Sequence, residues 1–342
     1  MTQARQAHDP LIPFELENET GLRLRGLDFG ATLTSLSLLV GGERREVLLG
    51  CADEDYPAQQ VWLGAVAGRF ANRIGGAELT RNGQHWQLDA NQPPHCLHGG
   101  RDGFHRRRWQ RVRQTSDSIS LSLVSPAGDQ GFPGQLRVTL TYRLEGQDLV
   151  IDFEAKSDAP TPVSLTSHAY FNLDGDSPAG DVRQHAITLR ANSFLPTDAS
   201  GLPLAITPVE GPFDLRAERP IGQAWLSHAQ QMQAKGYDHA YLLHGAEQQG
   251  KSGQTWAARV RSADRQLAME VYTNQPSLQF YSGNWLANTP DRTGRGYGDH
   301  AGFCLEAQQL PDSPNRPALG DPWLLPGQRY HHQTRYRFIP AG

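Results

Sequence analysis

Only three cysteines, Cys51, Cys96 and Cys304, occur in 342 residues. They are too few and too scattered for a disulfide framework or a thiolate zinc site, each of which needs closely spaced pairs. No apolar run of 18 residues occurs, and the first twenty residues carry no apolar stretch of signal-peptide length, so a membrane span and a leader are not expected. Positive charge is not in excess either. Lys and Arg total 32 against 36 acidic residues, a net charge of −4, which leaves no basic field to gather nucleic acid or anionic lipid. A cytoplasmic protein that binds neither is expected.

Familiar chemical signatures are missing as well. No G-x-G-x-x-G leads from a strand into a helix, so dinucleotide binding has no warrant. No H-E-x-x-H, C-x-x-C or H-x-H appears among the 13 histidines, and His331 and His332 would point to opposite sides of a strand, so neither a metal nor another cofactor is expected. A serine nucleophile would need a G-x-S-x-G elbow, which is absent. There is no internal repeat. Gly245–Gly253 is the nearest thing to a linker, and strand patterns resume on both sides, so it is expected to be a surface loop within one domain spanning 1–342.

What the chain has is alternation. Leu136, Val138, Leu140, Tyr142 and Leu144 interleave with polar residues, and after Glu145–Asp148 the pattern resumes at Leu149, Ile151, Phe153 and Ala155, which predicts an antiparallel hairpin. Similar runs lie at 119–124, 187–191, 267–273, 278–282 and 330–338. Helical periodicity is confined to Gln223–Lys235. With 35 Gly and 23 Pro punctuating short strands, the pattern predicts an all-β protein of antiparallel sheets packed as a sandwich or barrel.

Polar side chains collect on some of these strands. In 163–172, strand alternation puts Ser164, Thr166, His168 and Tyr170 on one face; in 303–308 it puts Cys304, Glu306 and Gln308 opposite Phe303, Leu305 and Ala307. Gln279 and Tyr281 likewise oppose Leu278 and Phe280. Read singly, a His or Glu on the polar face of a strand is an ordinary solvated residue. The turn-rich segments GRFANRI (68–74), LHGG (97–100) and GYDH (236–239) add arginine, asparagine, histidine and aspartate beside glycines, whose commoner task is to turn the chain.

Taken in order, GRFANRI, LHGGRDGF (97–104), GDQGFPG (128–134), LTSHAYFNLDG (165–175), GYDHAY (236–241), PSLQFYSGN (276–284) and GFCLEAQQLPDSPN (302–315) resemble the aldose 1-epimerase, or galactose mutarotase, family over roughly residues 10 to 340. The resemblance implies a large antiparallel β-sandwich, the galactose mutarotase-like supersandwich, with its site in a concave face. It implies interconversion of the α and β anomers of free hexoses by acid–base ring opening, without cofactor or metal. It carries the base onto Glu306 and the acid onto His168, and sugar contacts onto Asn72, Arg73, His98, Asp238 and Gln279. An ordinary carboxylate near pKa 4 and an imidazolium near 6.5 would coexist in those working forms. The expected partner is a small aldose, with the protein a monomer or homodimer.

Three positions depart from the family pattern: Gln130 and His105, where acidic residues are common, and Ser167, where Asn is common. Two other readings compete. A non-catalytic sugar-binding sandwich would be expected to lose the acid or the base. A hexose-phosphate epimerase would need extra cations converging on the phosphate, for which Arg101, Arg106, Arg107 and Arg108 are the candidates, although a run of adjacent charges is usually a solvated turn.

Overall fold

The structure is a computed structural model that describes residues 10–243 and 253–341. The expected loop at Gly245–Gly253 falls, but for Gly253, outside them. Every ladder between its named strands is antiparallel. The largest sheet has nine strands, in the spatial order Gln110–Gln114, Ser118–Ser125, Leu136–Glu145, Asp148–Ser157, Tyr330–Pro340, Leu267–Thr273, Thr255–Arg261, Ala186–Leu189 and Arg219–Pro220. A five-stranded sheet runs Thr207–Pro208, Ala191–Leu195, Asp238–Leu243, Ser277–Tyr281 and Cys304–Gln308. A four-stranded sheet begins at Pro13–Glu17, and further two-stranded ladders pair Val66–Ala67 with Thr166–Ser167 and Arg73–Ile74 with Cys96–Leu97.

The expected hairpin forms in full register from Leu136 opposite Ser157 to Glu145 opposite Asp148, closed by Gly146 and Gln147. Its buried residues Leu140, Tyr142, Ile151 and Phe153 share one continuous core with Leu278, Phe280, Leu305 and Ala307 of the five-stranded sheet. Burying each such side chain is worth about 1.5–3 kcal/mol, so the alternation of the large sheet holds the smaller sheet's apolar face against it. Polar pins add direction. Tyr336 Oη donates to the Leu305 carbonyl at 2.8 Å, and His332 Nδ1 donates to the Leu165 carbonyl at 2.7 Å. The large sheet therefore grips both segments on which His168 and Glu306 stand. His332 is buried and His331 exposed, as strand alternation requires.

Two expected elements are shorter than their sequence patterns. The α-helix covers only Ala229–Ala234, because Ala224 and Leu226 upstream hold φ of 55° and 52° and break the helical run. The run at 187–191 divides at Arg190 into strands of different sheets.

Candidate active site

Cross-strand register assembles the site. Glu306 stands opposite Gln279, which stands opposite Ala240; Cys304 stands opposite Tyr281, which stands opposite Asp238. Directly opposed residues share a face of a sheet, so Asp238, Gln279 and Glu306 project from the face opposite the apolar core. Gln279 Nε2 donates to Asp238 Oδ1 at 2.7 Å. The Thr166–Ser167 ladder with Val66–Ala67 continues into mutual backbone bonds, His168 N–H to Ala65 O (2.9 Å) and Gly64 N–H to His168 O (3.0 Å), and these set the imidazole over that face.

A second wall comes from the glycine-rich turns. Asn72 and His98 hold left-handed backbone, with φ of 66° and 50°, and lock each other: Asn72 N–H donates to His98 Nδ1 at 3.2 Å, and His98 N–H donates to the Asn72 carbonyl at 3.1 Å. With Nδ1 accepting, the neutral His98 ring carries its proton on Nε2. Gly99 makes the close approach possible. Its φ is +87°, and a Cβ there would lie 2.0 Å from the Gly68 carbonyl oxygen. Arg73 donates from Nε to Gln92 Oε1 at 2.7 Å.

These walls enclose a cleft of about 370 Å³, within the usual range for a small-molecule site. The structure brings Asn72, Arg73, His98, His168, Asp238 and Glu306 to its lining, and Gln279 adjoins them through Asp238. Four aromatic residues in the lining have no role assigned from the sequence: Trp62, Trp285 and, beyond their strand-face placement, Tyr170 and Tyr281. The Trp62 ring lies 4.9 Å from that of His98 and 6.4 Å from that of His168. Its only sequence signal is an aromatic residue next to a glycine-containing turn, which recurs throughout the chain.

The two residues expected as acid and base, His168 and Glu306, face each other in this lining. His168 Nε2 is 3.8 Å from Glu306 Oε1, and both side chains are buried. Here the expectation of ordinary pKa values, and of a solvated polar face, is corrected. Residues 161–173 are buried on both faces, and so are 304–308. Burial penalises each charged form, pulling His168 down to about 4 and pushing Glu306 well above the usual carboxylate range, with the nearby Asp238 charge adding to the rise. Burial also keeps His98 neutral, helped by His168 and Arg73. Burial thus favours the uncharged form of each member of the pair.

Arg69 belongs to the same GRFANRI segment as Arg73 but plays a different part. Its buried guanidinium donates to the carbonyls of Ser125, Pro126, Pro133 and Gly134 and tethers GDQGFPG from below. The candidate phosphate arginines do not reach the cleft lining. Arg107 and Arg108 pair with Asp129 and Asp28 at 2.7 and 2.6 Å; Arg101 and Arg106 face Asp89 and Asp102 at 3.8 and 3.9 Å. The three departures lie outside the lining too. Gln130 Oε1 accepts from Asp102 N–H at 3.1 Å, and His105 is half-buried 5.6 Å from the Trp62 ring, where desolvation pulls it down to about 3. Ser167 is buried with its hydroxyl unpartnered. Among the described residues, no three His, Cys, Asp or Glu side chains are placed to hold a metal ion, and no helix is long and apolar enough to cross a membrane.

Comparison with known proteins bears on this cleft. The family model for aldose 1-epimerase matches residues 13–337. The aldose 1-epimerase of Escherichia coli strain K12 is 44% identical over 331 residues, covering 95% of this chain and 94% of the relative. The galactose mutarotase of Bos taurus is 38% identical over 333 residues, covering 96% and 94%. Among solved structures, the galactose 1-epimerase of Lactobacillus acidophilus NCFM superposes with a TM-score of 0.85 at 28% identity, covering 99% of this chain and 97% of that one. A C. elegans aldose epimerase homologue gives 0.87 at 27%, covering 97% and 100%.

Proposed function

The chain belongs to the aldose 1-epimerase family, and on that premise we propose that Glu306 and His168 move the two protons of sugar-ring opening while Asn72, Arg73, His98, Asp238 and Gln279 hold the sugar. The enzyme interconverts the α and β anomers of aldose sugars. Opening the ring removes the proton from O1, delivers a proton to the ring oxygen O5, breaks C1–O5 and leaves an aldehyde at C1. Rotation about C1–C2 presents the other face, O5 re-adds, and the protons return along the same path. Glu306 takes the O1 proton and His168 supplies the O5 proton.

Proton counting makes the buried pair suitable for this. One proton enters the pair as another leaves, so the cycle needs one proton shared between Glu306 and His168. The neutral pair favoured by burial and the working pair, carboxylate with imidazolium, are tautomers with the same count. The pH range of competence is therefore set by gain or loss of a proton by the pair, and the height of the plateau by the fraction in the working tautomer. Donors and acceptors on the walls match a polyol: Arg73 and His98 Nε2–H donate, and Asp238 accepts.

The observation that carries the reading is the facing of two buried titratable groups 3.8 Å apart in the lining of the cleft. A sugar-binding sandwich without turnover has no use for such a pair, and a phosphosugar site lacks its cations, since the arginines offered for it are engaged elsewhere. Polarimetry or NMR exchange on freshly dissolved α-D-galactose and α-D-glucose tests it. Both should equilibrate faster than in buffer alone, and no acceleration with either sugar would refute it.

A further inference from the structure

Arg73 enters the cleft on a side chain that has to be held flat, and the support comes from a segment remote in sequence. On one side its Nε donates to Gln92 Oε1. On another lies Gly201, at φ +84°, where a Cβ would stand 2.7 Å from Arg73 Cζ and Nε and 3.0 Å from Nη1. The loop bearing Gly201 is built to stay in place. Asp198 Oδ1 accepts from the backbone N–H groups of Ser200 and Leu202 and from the Ser200 hydroxyl, which closes the turn around the glycine. The loop is also tied to the short helix. Gln230 Oε1 accepts from Thr197 N–H at 2.7 Å, and its Nε2 donates to the Thr197 carbonyl at 2.9 Å.

Gln230 reaches the opposite wall as well. His239 Nε2 donates to Gln230 Oε1 at 3.2 Å, while His239 Nδ1 accepts from the backbone N–H of Asp238 at 3.0 Å. Burial pulls His239 down to about 3, so this ring stays neutral with its proton on Nε2. One amide side chain thus links the support of Arg73 to the backbone of Asp238, the two charged sugar contacts on either side of the cleft.

We propose that Gly201, on the 197–202 loop tethered by Gln230, is a positioning residue that fixes the Arg73 guanidinium in its sugar-binding orientation, with Gln230 setting the spacing between Arg73 and Asp238. This rests on the reading of Arg73 as a sugar contact. The guanidinium is planar and needs a surface without a side chain to lie against, which is why glycine is required in addition to its positive φ. Neither Gly201 nor Gln230 lines the cleft, so their effect on the sugar passes through the residues they place.

The test is a cycle of Gly201→Ala and Arg73→Lys, with KM and kcat for galactose measured separately. Gly201→Ala should raise KM at least 5-fold with kcat within 2-fold of wild type. In the Arg73→Lys background, where no planar guanidinium abuts the loop, Gly201→Ala should change KM by less than 2-fold. Equal KM increases in both backgrounds, an unchanged KM, or a matching fall in kcat would overturn the proposal. Gln230→Ala leaves Gly201 and its φ untouched and gives a second reading should Gly201→Ala not fold: KM should rise and kcat hold, and an unchanged KM would overturn it. Wild-type protein without anomer exchange would instead refute the family-based reading of the site, a separate result.

Discussion

A pH profile of kcat/KM reports the free enzyme's titrations and so reads the proton of the Glu306–His168 pair directly. Were His168 an ordinary imidazole with pKa near 6.5, only about 3% would be protonated at pH 8, and kcat/KM would fall about 30-fold from its plateau. In the structure, burial pulls His168 down to about 4 and raises Glu306. Below about pH 4 the pair takes up a second proton and loses its acceptor, so kcat/KM should fall about tenfold per further pH unit. Above that it should stay flat until pH rises through the raised pKa of the Glu306 carboxyl, where the pair loses its last proton. The limb assignment is therefore the reverse of the one ordinary pKa values give. Residual activity in Glu306→Gln should lack the alkaline limb, and that in His168→Asn the acid limb. Exchange NMR at each pH, with the buffer rate subtracted and circular dichroism confirming the fold, measures this. An alkaline midpoint near 6.5 that persists in Glu306→Gln and vanishes in His168→Asn would refute the reasoning.

Other outcomes follow from the same geometry. Arg69→Ala strips a buried guanidinium from four backbone carbonyls and should cost about 3–5 kcal/mol in urea unfolding; a loss below about 1 kcal/mol would show those bonds to be dispensable. Arg73→Ala and Asp238→Ala should each raise KM for galactose, with kcat falling less than KM rises, as expected of groups that bind without transferring protons; an unchanged KM in both would remove them from the sugar.

The sequence and the structure agree best where one physical signal dominates. Alternation along 136–155 specified the hairpin and its turn, because a half-buried strand allows little else. It also placed Glu306 and Gln279 on the face away from Leu305 and Phe280, and the pairing of Gln279 with Glu306 follows that placement. Alternation says nothing of what covers the polar face. His168 and Glu306 read as solvated strand residues, whereas the walls built from 62, 72–73 and 98 enclose them and move both pKa values. Those walls come from turns, whose backbone at Asn72 and His98 is set by mutual hydrogen bonds between distant segments. In the same way Arg69 and Arg73, four residues apart in one motif, part into a buried tether and a cleft residue by tertiary contacts alone. The helix expected at 223–235 shrank to six residues for a local reason, the left-handed backbone at Ala224 and Leu226.

The most direct test of the paired role of Glu306 and His168 is kcat for galactose anomer exchange in Glu306→Gln, His168→Asn and the double variant, measured by NMR on protein shown to be folded. Each single variant should lose about 10²-fold or more, and the double variant should fall little below the weaker single one, because two groups sharing one proton fail together. Near-normal turnover in either folded single variant would contradict the account.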